Sequence, residues 1–123
     1  MPLPQNTAMD LSRLSSSEIR QRIRHGQHDA NTAGLAPGKL QCNLTMLPQE
    51  FALDFLRFCQ RNPKPCPVVG VSETGNPMLP TLGRDIDIRT DVPRYRVFRD
   101  GALAEELTDI SELWTDELVT IAL

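Results

Sequence analysis

The apolar positions of this chain fall into a few short patterns separated by proline- and glycine-rich stretches. In LSSSEIRQRIRHG, Ile19 and Ile23 are four apart and share one face of a helix. Ser15 and Glu18 have the spacing of a capping box, Leu14 and Ile19 that of a hydrophobic staple, and Gly26 is placed to end the helix. LPQEFALDFLRFCQRNP is the clearest helical pattern. Phe51, Phe55, Phe58 and Cys59 form its apolar stripe, with Ala52 and Leu56 beside it, so these residues are expected in the core. Pro48 suits the first helical position, and Asn62 before Pro63 is a stop. Residues 27–46 carry no helical or strand period and read as a long loop.

PVVGVS, residues 67–72, is a short apolar run expected as a buried strand. Residues 73–84 are a second Gly/Pro-punctuated loop. In DIDIRTD, residues 85–91, Ile86 and Ile88 alternate with Asp85, Asp87 and Arg89, which predicts a strand with one charged face. Asp100-Gly101 between two strand-like runs predicts a hairpin with a type I′ turn. Asp109 and Glu112 cap a last short helix that turns Ile110, Leu113 and Trp114 inward. LVTIAL is a final strand, and its apolar edge calls for a partner, either further polypeptide or a second copy of the chain. The fold class is therefore α/β, a mixed sheet with flanking helices.

The 123 residues are 40% apolar and 24% charged, an ordinary globular composition for one domain or less. No apolar run approaches the ~20 residues of a membrane helix, so no membrane association is expected. The first residues lack the apolar core of a secretory signal. The three cysteines, Cys42, Cys59 and Cys66, have no CxxC spacing, which fits reduced thiols in a cytoplasmic protein. The net charge is −3, with +3 over residues 1–64 and −6 over the rest, so a nucleic-acid partner is not expected. Arginine outnumbers lysine eleven to two, which is compatible with a small anionic ligand, although surface ion pairs account for it equally well.

Several familiar chemistries are excluded. His25 and His28 straddle the Gly26 break, and Cys59 and Cys66 have no second pair, so no metal site is expected. GLAPGK lacks the spacing and the hydroxyl residue of a P-loop, and no GxGxxG or GxSxG is present. Two segments remain. Arg61-Asn62-Pro63-Lys64-Pro65-Cys66-Pro67 is a stiff turn presenting two cations and a thiol, suited to an anion or to a purely structural connection. Asp85, Asp87 and Arg89 cluster charge in a way that can make one carboxylate a base, or simply form a solvated face.

The strings TAGLAPGKLQCNL, LPQEFALDFLRFCQRNPKPCPV, GRDIDIRTDVPRYRV and DISELWTDELV, in this order, resemble the D-glutamate cyclase family, whose bacterial members are also called hydro-lyases. The resemblance runs from about residue 17 onward. It implies a loose tail over 1–16, then an N-terminal portion, 17–123, of a larger two-subdomain α/β protein. Family members continue past the LVTIAL-like strand, so a truncated form is implied, with the absent part needed for activity. The implied reaction is dehydration of D-glutamate to 5-oxo-D-proline, or of a related small acid, with no cofactor. Closing the ring requires a deprotonated amine, a protonated leaving oxygen and a cation on the α-carboxylate. By role, Arg61, Lys64 and Arg89 are candidate carboxylate clamps and Asp87 or Asp91 the base or acid. Asn43 and the Gly34 to Gly38 backbone are oxyanion donors, and Cys66 is a candidate nucleophile. A non-catalytic small-molecule or protein binding module with the same fold is the competing reading.

Overall fold

The computed structural model describes residues 14–28, 39 and 41–123. The described residues fall into two units, one containing 14–28, 39, 41 and 89–112, the other 42–88 and 113–123. Both helices and sheets are present, as the α/β pattern predicts, and every strand pairing among the described residues is antiparallel.

In the first unit, α1 spans Ser16–Arg24. Its capping box forms as the spacing predicts. The Glu18 amide donates to the Ser15 hydroxyl at 3.2 Å, and the Ser15 amide donates to Glu18 Oε1 at 3.1 Å. Two of the amides that a helix start leaves without partners are thereby satisfied. Ile19 and Ile23 are buried together with Leu14 against them, which is the staple. Gly26 ends the helix at φ 73°, a conformation that costs glycine little.

The same unit carries the hairpin of β3 (Tyr95–Arg99) and β4 (Ala102–Leu107). Arg99 pairs with Ala102, so the turn has two residues, and Asp100 (φ 53°) and Gly101 (φ 79°) have the type I′ geometry expected from the sequence. A bulge interrupts the register between Val97 and Phe98. After it, Asp109 Oδ1 accepts the Ser111 amide at 2.7 Å and starts a single 3₁₀ turn, Ser111–Leu113. Ile110 is buried as expected, but Leu113 is exposed.

The second unit is a three-stranded sheet in the order β1-β5-β2. β1 is Leu44–Pro48, of which the first three residues fall in the expected loop and the last two in the expected helical segment. The run is short and passes directly into a helix, so it shows no period of its own. β5, Leu118–Ala122, is the final strand expected, but it lies in the centre. β1 and β2 flank it on both sides, so its apolar residues are not an open edge. β2 is reduced to Gly70–Val71, extended by bonds from the Val69 amide to Ala122 and the Ser72 amide to Thr120, both 2.9 Å. As an edge strand it leaves Val68, Val69 and Val71 exposed, against the expectation of a buried strand.

Helix α2 covers Gln49–Arg61, with Pro48 one position earlier than predicted, at the N-cap. Its buried face is Ala52 and Cys59, with Phe55 and Leu56 partly buried. Ala52, Phe55 and Leu56 join Leu47, Val119, Ile121 and Leu123 in one cluster. Phe51 and Phe58 are more than half exposed, which corrects the expected core stripe. Helical spacing fits either the 51/55/58 row or the 52/55/56/59 row. The sheet selects the second because the small Ala52 allows close approach.

Residues 85–91 form turns, not a strand. Ile88 is fully buried, and its amide donates to the Pro77 carbonyl at 2.9 Å instead of to a strand. Asp85, Asp87 and Arg89 therefore do not share a strand face.

Candidate functional site

In the first unit the polar centre is Asp91. Its side chain is 1% exposed. Arg24 Nε donates to Oδ1 at 2.8 Å and Arg24 Nη2 to Oδ2 at 2.7 Å, a bidentate grip. The Thr90 hydroxyl donates to Oδ1 at 2.9 Å. Both oxygens are thus bound, and burial leaves no face of the carboxylate open to a small molecule. Beside it, the Val92 amide donates to the Tyr95 hydroxyl at 3.3 Å, and the Ile110 amide to the Arg89 carbonyl at 3.0 Å. The motif Arg89-Thr90-Asp91-Val92 is fixed in place from several directions. Arg24 also sits in the last turn of α1, where a cation is favoured by the helix dipole.

In the second unit the sequence Arg61 to Pro67 follows the end of α2. Asn62 closes the helix. Its amide donates to the Cys59 carbonyl at 3.0 Å, and its side-chain Nδ2 donates to the Phe58 carbonyl at 2.8 Å. The Asn62 carbonyl then accepts the Cys66 amide at 2.9 Å, which turns the chain back on itself. With Pro63, Pro65 and Pro67 restricting φ, the segment is a stiff loop. Arg61 and Lys64 are exposed on it, and Cys66 is half-buried.

The thiols follow their burial. Burial pushes the Cys59 thiol up, and the neighbouring Cys66 sulfur pushes it further, by charge and by hydrogen bond. All three cysteines are free, and Cys42 is raised by burial as well.

The remaining candidates are dispersed. Asn43 is exposed, and both its backbone groups pair with Leu123, at 3.0 and 2.8 Å, so an oxyanion would be met by the side-chain amide alone. Asp87 is half-buried and lies with Asn43, Arg61, Lys64 and Cys66 in the second unit. Arg89 and Asp91 belong to the first. Gly34 and Gly38 lie outside the described residues. Among the described residues no three His, Cys, Asp or Glu side chains gather as a metal site, and no helix is long and apolar enough to cross a membrane.

Sequence reasoning missed Arg24 and Thr90 as the partners of Asp91. Arg24 is 67 positions away, and no local pattern marks it.

No family model matches the chain. Curated proteins do. A protein of Jannaschia sp. (strain CCS1) is 70% identical over 112 residues, covering 91% of this chain and 42% of its own length. One of Ruegeria pomeroyi is 62% identical, covering 89% of this chain and 40% of its own length. One of Rhodopseudomonas palustris (strain HaA2) is 55% identical, covering 97% and 43%. All three carry the name "putative hydro-lyase". The chain spans about two-fifths of the length of these relatives.

Proposed function

We propose that this chain is part of a hydro-lyase that acts on a small amino-dicarboxylic acid, with D-glutamate the first substrate to test and 5-oxo-D-proline its product. The observation that carries this reading is 70% identity, over 91% of the chain, to a relative named as a hydro-lyase. The D-glutamate specificity rests on the resemblance of the motifs quoted above. In the reaction the α-amine loses a proton, and its nitrogen attacks the side-chain carboxyl carbon. The C–N bond forms, one C–O bond breaks, and the oxygen leaves as water once protonated.

The exposed cations Arg61 and Lys64 are the clamps for a substrate carboxylate, held in direction by the prolines around them. Asp87, half-buried where the Asp91 side chain is 1% exposed, takes the role of base or acid. Asp91 is engaged at both oxygens by Arg24 and Thr90, and so acts as a positioning residue. Asn43 supplies an amide donor for an oxyanion, and Cys66 is retained as a candidate contact to substrate. The part of the longer relatives that this chain does not span supplies the remainder of the site.

The test is incubation of the purified chain, and of a version extended to the full length of its relatives, with D-glutamate. Mass spectrometry then follows 5-oxoproline. The extended protein is expected to turn over and the present chain to be inactive. Lack of turnover of D-glutamate and of other amino-dicarboxylates by the extended protein sinks the reading and favours a binding module. In an active extended protein, Asp87→Asn is expected to lower kcat, and Arg61→Ala to raise KM.

A further inference from the structure

We propose that the outer face of α2 is an interface with a second copy of this chain, in which the two α2 helices pack antiparallel across a two-fold axis. At about 100° per residue, α2 presents three neighbouring strips. Ala52 and Cys59 are buried on the first. Phe51 and Phe58, at i and i+7, form the second and are 54% and 55% exposed. Phe55 bridges the two strips. It joins the buried cluster, and its ring stacks on Phe58 with centroids 6.5 Å apart. The apolar surface is therefore continuous from the core to solvent. The third strip, next to the phenylalanines, is Glu50, Asp54, Arg57 and Arg61, at i, i+4, i+7 and i+11, all exposed.

The charges decide which partner fits. The two acids occupy the first half of their strip and the two arginines the second. Within one helix, Glu50 and Asp54 are like charges four apart, and so are Arg57 and Arg61, which is unfavourable. None of the four side chains has an ion-pair or hydrogen-bond partner among the described residues. The helix dipole favours acids at the start and bases at the end, but it does not ask for all four on one flank beside exposed phenylalanines. A two-fold axis perpendicular to both helices does. It reverses the second helix end for end and sets the same flank of each against the other. Glu50 then faces the partner's Arg61, and Asp54 the partner's Arg57. A parallel pair would set like against like. The phenylalanine strips meet along the seam, giving an apolar centre with a charged rim. A helix of 13 residues makes a small contact, so the dimer is weak and reversible. The dilute chain is a monomer with this face open, and its unfolding does not report the contact. The contact does not depend on the substrate reading above, and its test has no activity readout.

Sedimentation velocity of the purified chain over about 1 to 300 µM follows the mass action of a weak dimer. The average mass is expected to rise with concentration, and to rise less at high salt, which screens the rim. Phe58→Ala should raise the dissociation constant by about tenfold or more, as loss of a central aromatic does. Asp54→Arg and Arg57→Glu, both at exposed positions, each set like charges opposite one another and should keep the chain monomeric. Mixing these two variants should restore the dimer, because the facing charges at 54 and 57 are then of opposite sign. Circular dichroism establishes that each variant is folded. A chain that stays monomeric through the whole range overturns the proposal. So does a dimer that Phe58→Ala leaves unchanged, or a mixture of the two charge variants that stays monomeric. A version extended to the full length of the relatives that is monomeric, with Phe51 and Phe58 shielded from radical labelling, also overturns it. That outcome assigns the face to the polypeptide that this chain does not span.

Discussion

Arg24 holds both oxygens of Asp91 with two nitrogens, at 2.8 and 2.7 Å, and so fastens the last turn of α1 to a segment 67 positions further on. Asp91 is almost wholly buried, while the Arg24 side chain is a third exposed. The two partners are therefore unequal. Removing Arg24 takes two charge-assisted hydrogen bonds from a buried carboxylate, whereas removing the Asp91 charge leaves an arginine that can turn to water.

Arg24→Ala is accordingly expected to destabilise the chain by about 3–5 kcal/mol, the usual loss when one partner of a buried pair is removed. Arg24→Lys keeps the charge but loses the two-pronged geometry, and should fall between wild type and Arg24→Ala. Asp91→Asn should cost less than Arg24→Ala. Urea denaturation at neutral pH measures all three. Equal losses for Arg24→Ala and Asp91→Asn would contradict the asymmetry.

The capping box at Ser15 gives a second expectation. Ser15→Ala removes the acceptor of the Glu18 amide and should cost about 1 kcal/mol. The Glu18 carboxyl is held below its ordinary value, first by the Ser15 backbone amide, then by the Ser15 side chain, with Arg22 adding a smaller pull. A depressed folded value means that this contribution is present above the ordinary carboxylate value. It is lost as pH falls through the depressed one. Ser15→Ala should therefore cost less in acid than at neutral pH, in paired denaturation curves. A pH-independent cost would show that the Ser15 side chain does not help to hold the Glu18 carboxyl ionised.

The capping box, the staple and the Asp100-Gly101 turn are legible in the sequence because each is decided by residues within four or five positions. The α2 face is not. Periodicity offers two overlapping rows, and only the sheet chooses between them. The strand predicted over residues 85–91 fails for a related reason. Alternation signals a strand only if a neighbour supplies the ladder, and here Ile88 is buried by itself while its amide goes to Pro77. In the candidate site, the stiffness of the 61–67 loop could be read from its prolines. The engagement of Asp91 could not, because its partner is remote in sequence.

The chosen face of α2 can be tested by substitution. Phe58 is 55% exposed and Ile121 fully buried in the cluster beneath the helix. Ile121→Ala is expected to cost about 2–5 kcal/mol. Phe58→Ala should cost only about 0.5 kcal/mol in the present chain, as at other surface positions. If Phe58→Ala matched Ile121→Ala, the 51/55/58 row would be the buried one after all.

Gly75 is a position where a side chain is refused twice. Its φ is 80°, and an added Cβ would stand 2.7 Å from the Asp116 carbonyl oxygen, a backbone atom that cannot swing aside. Its own carbonyl accepts the Trp114 Nε1–H at 3.1 Å. Gly101 has nearly the same φ, 79°, with nothing near its would-be Cβ. Gly101→Ala should show the backbone cost alone, about 1–2 kcal/mol. Gly75→Ala should exceed it clearly, as a larger fall in the urea midpoint. Equal costs at the two glycines would mean that the Asp116 backbone yields.

Thr120 lies at the centre of β5, fully buried, with its backbone satisfied by Ser72. The Thr120 amide donates to the Ser72 hydroxyl, and its carbonyl accepts the Ser72 amide, both at 2.9 Å. Its own hydroxyl has no partner among the described residues. A buried hydroxyl in that state carries a desolvation penalty of about 1–3 kcal/mol with nothing to offset it. Valine has nearly the same shape without the polar atom and favours strands. Thr120→Val is therefore expected to stabilise the chain by about 1 kcal/mol, seen as a higher urea midpoint with an unchanged slope. Thr120→Ala should instead destabilise it, because it removes the methyl group along with the hydroxyl. Destabilisation by valine as well would show that the hydroxyl is used, and would direct attention to the Ser72–Thr120 pair as a polar contact with a role in the longer protein.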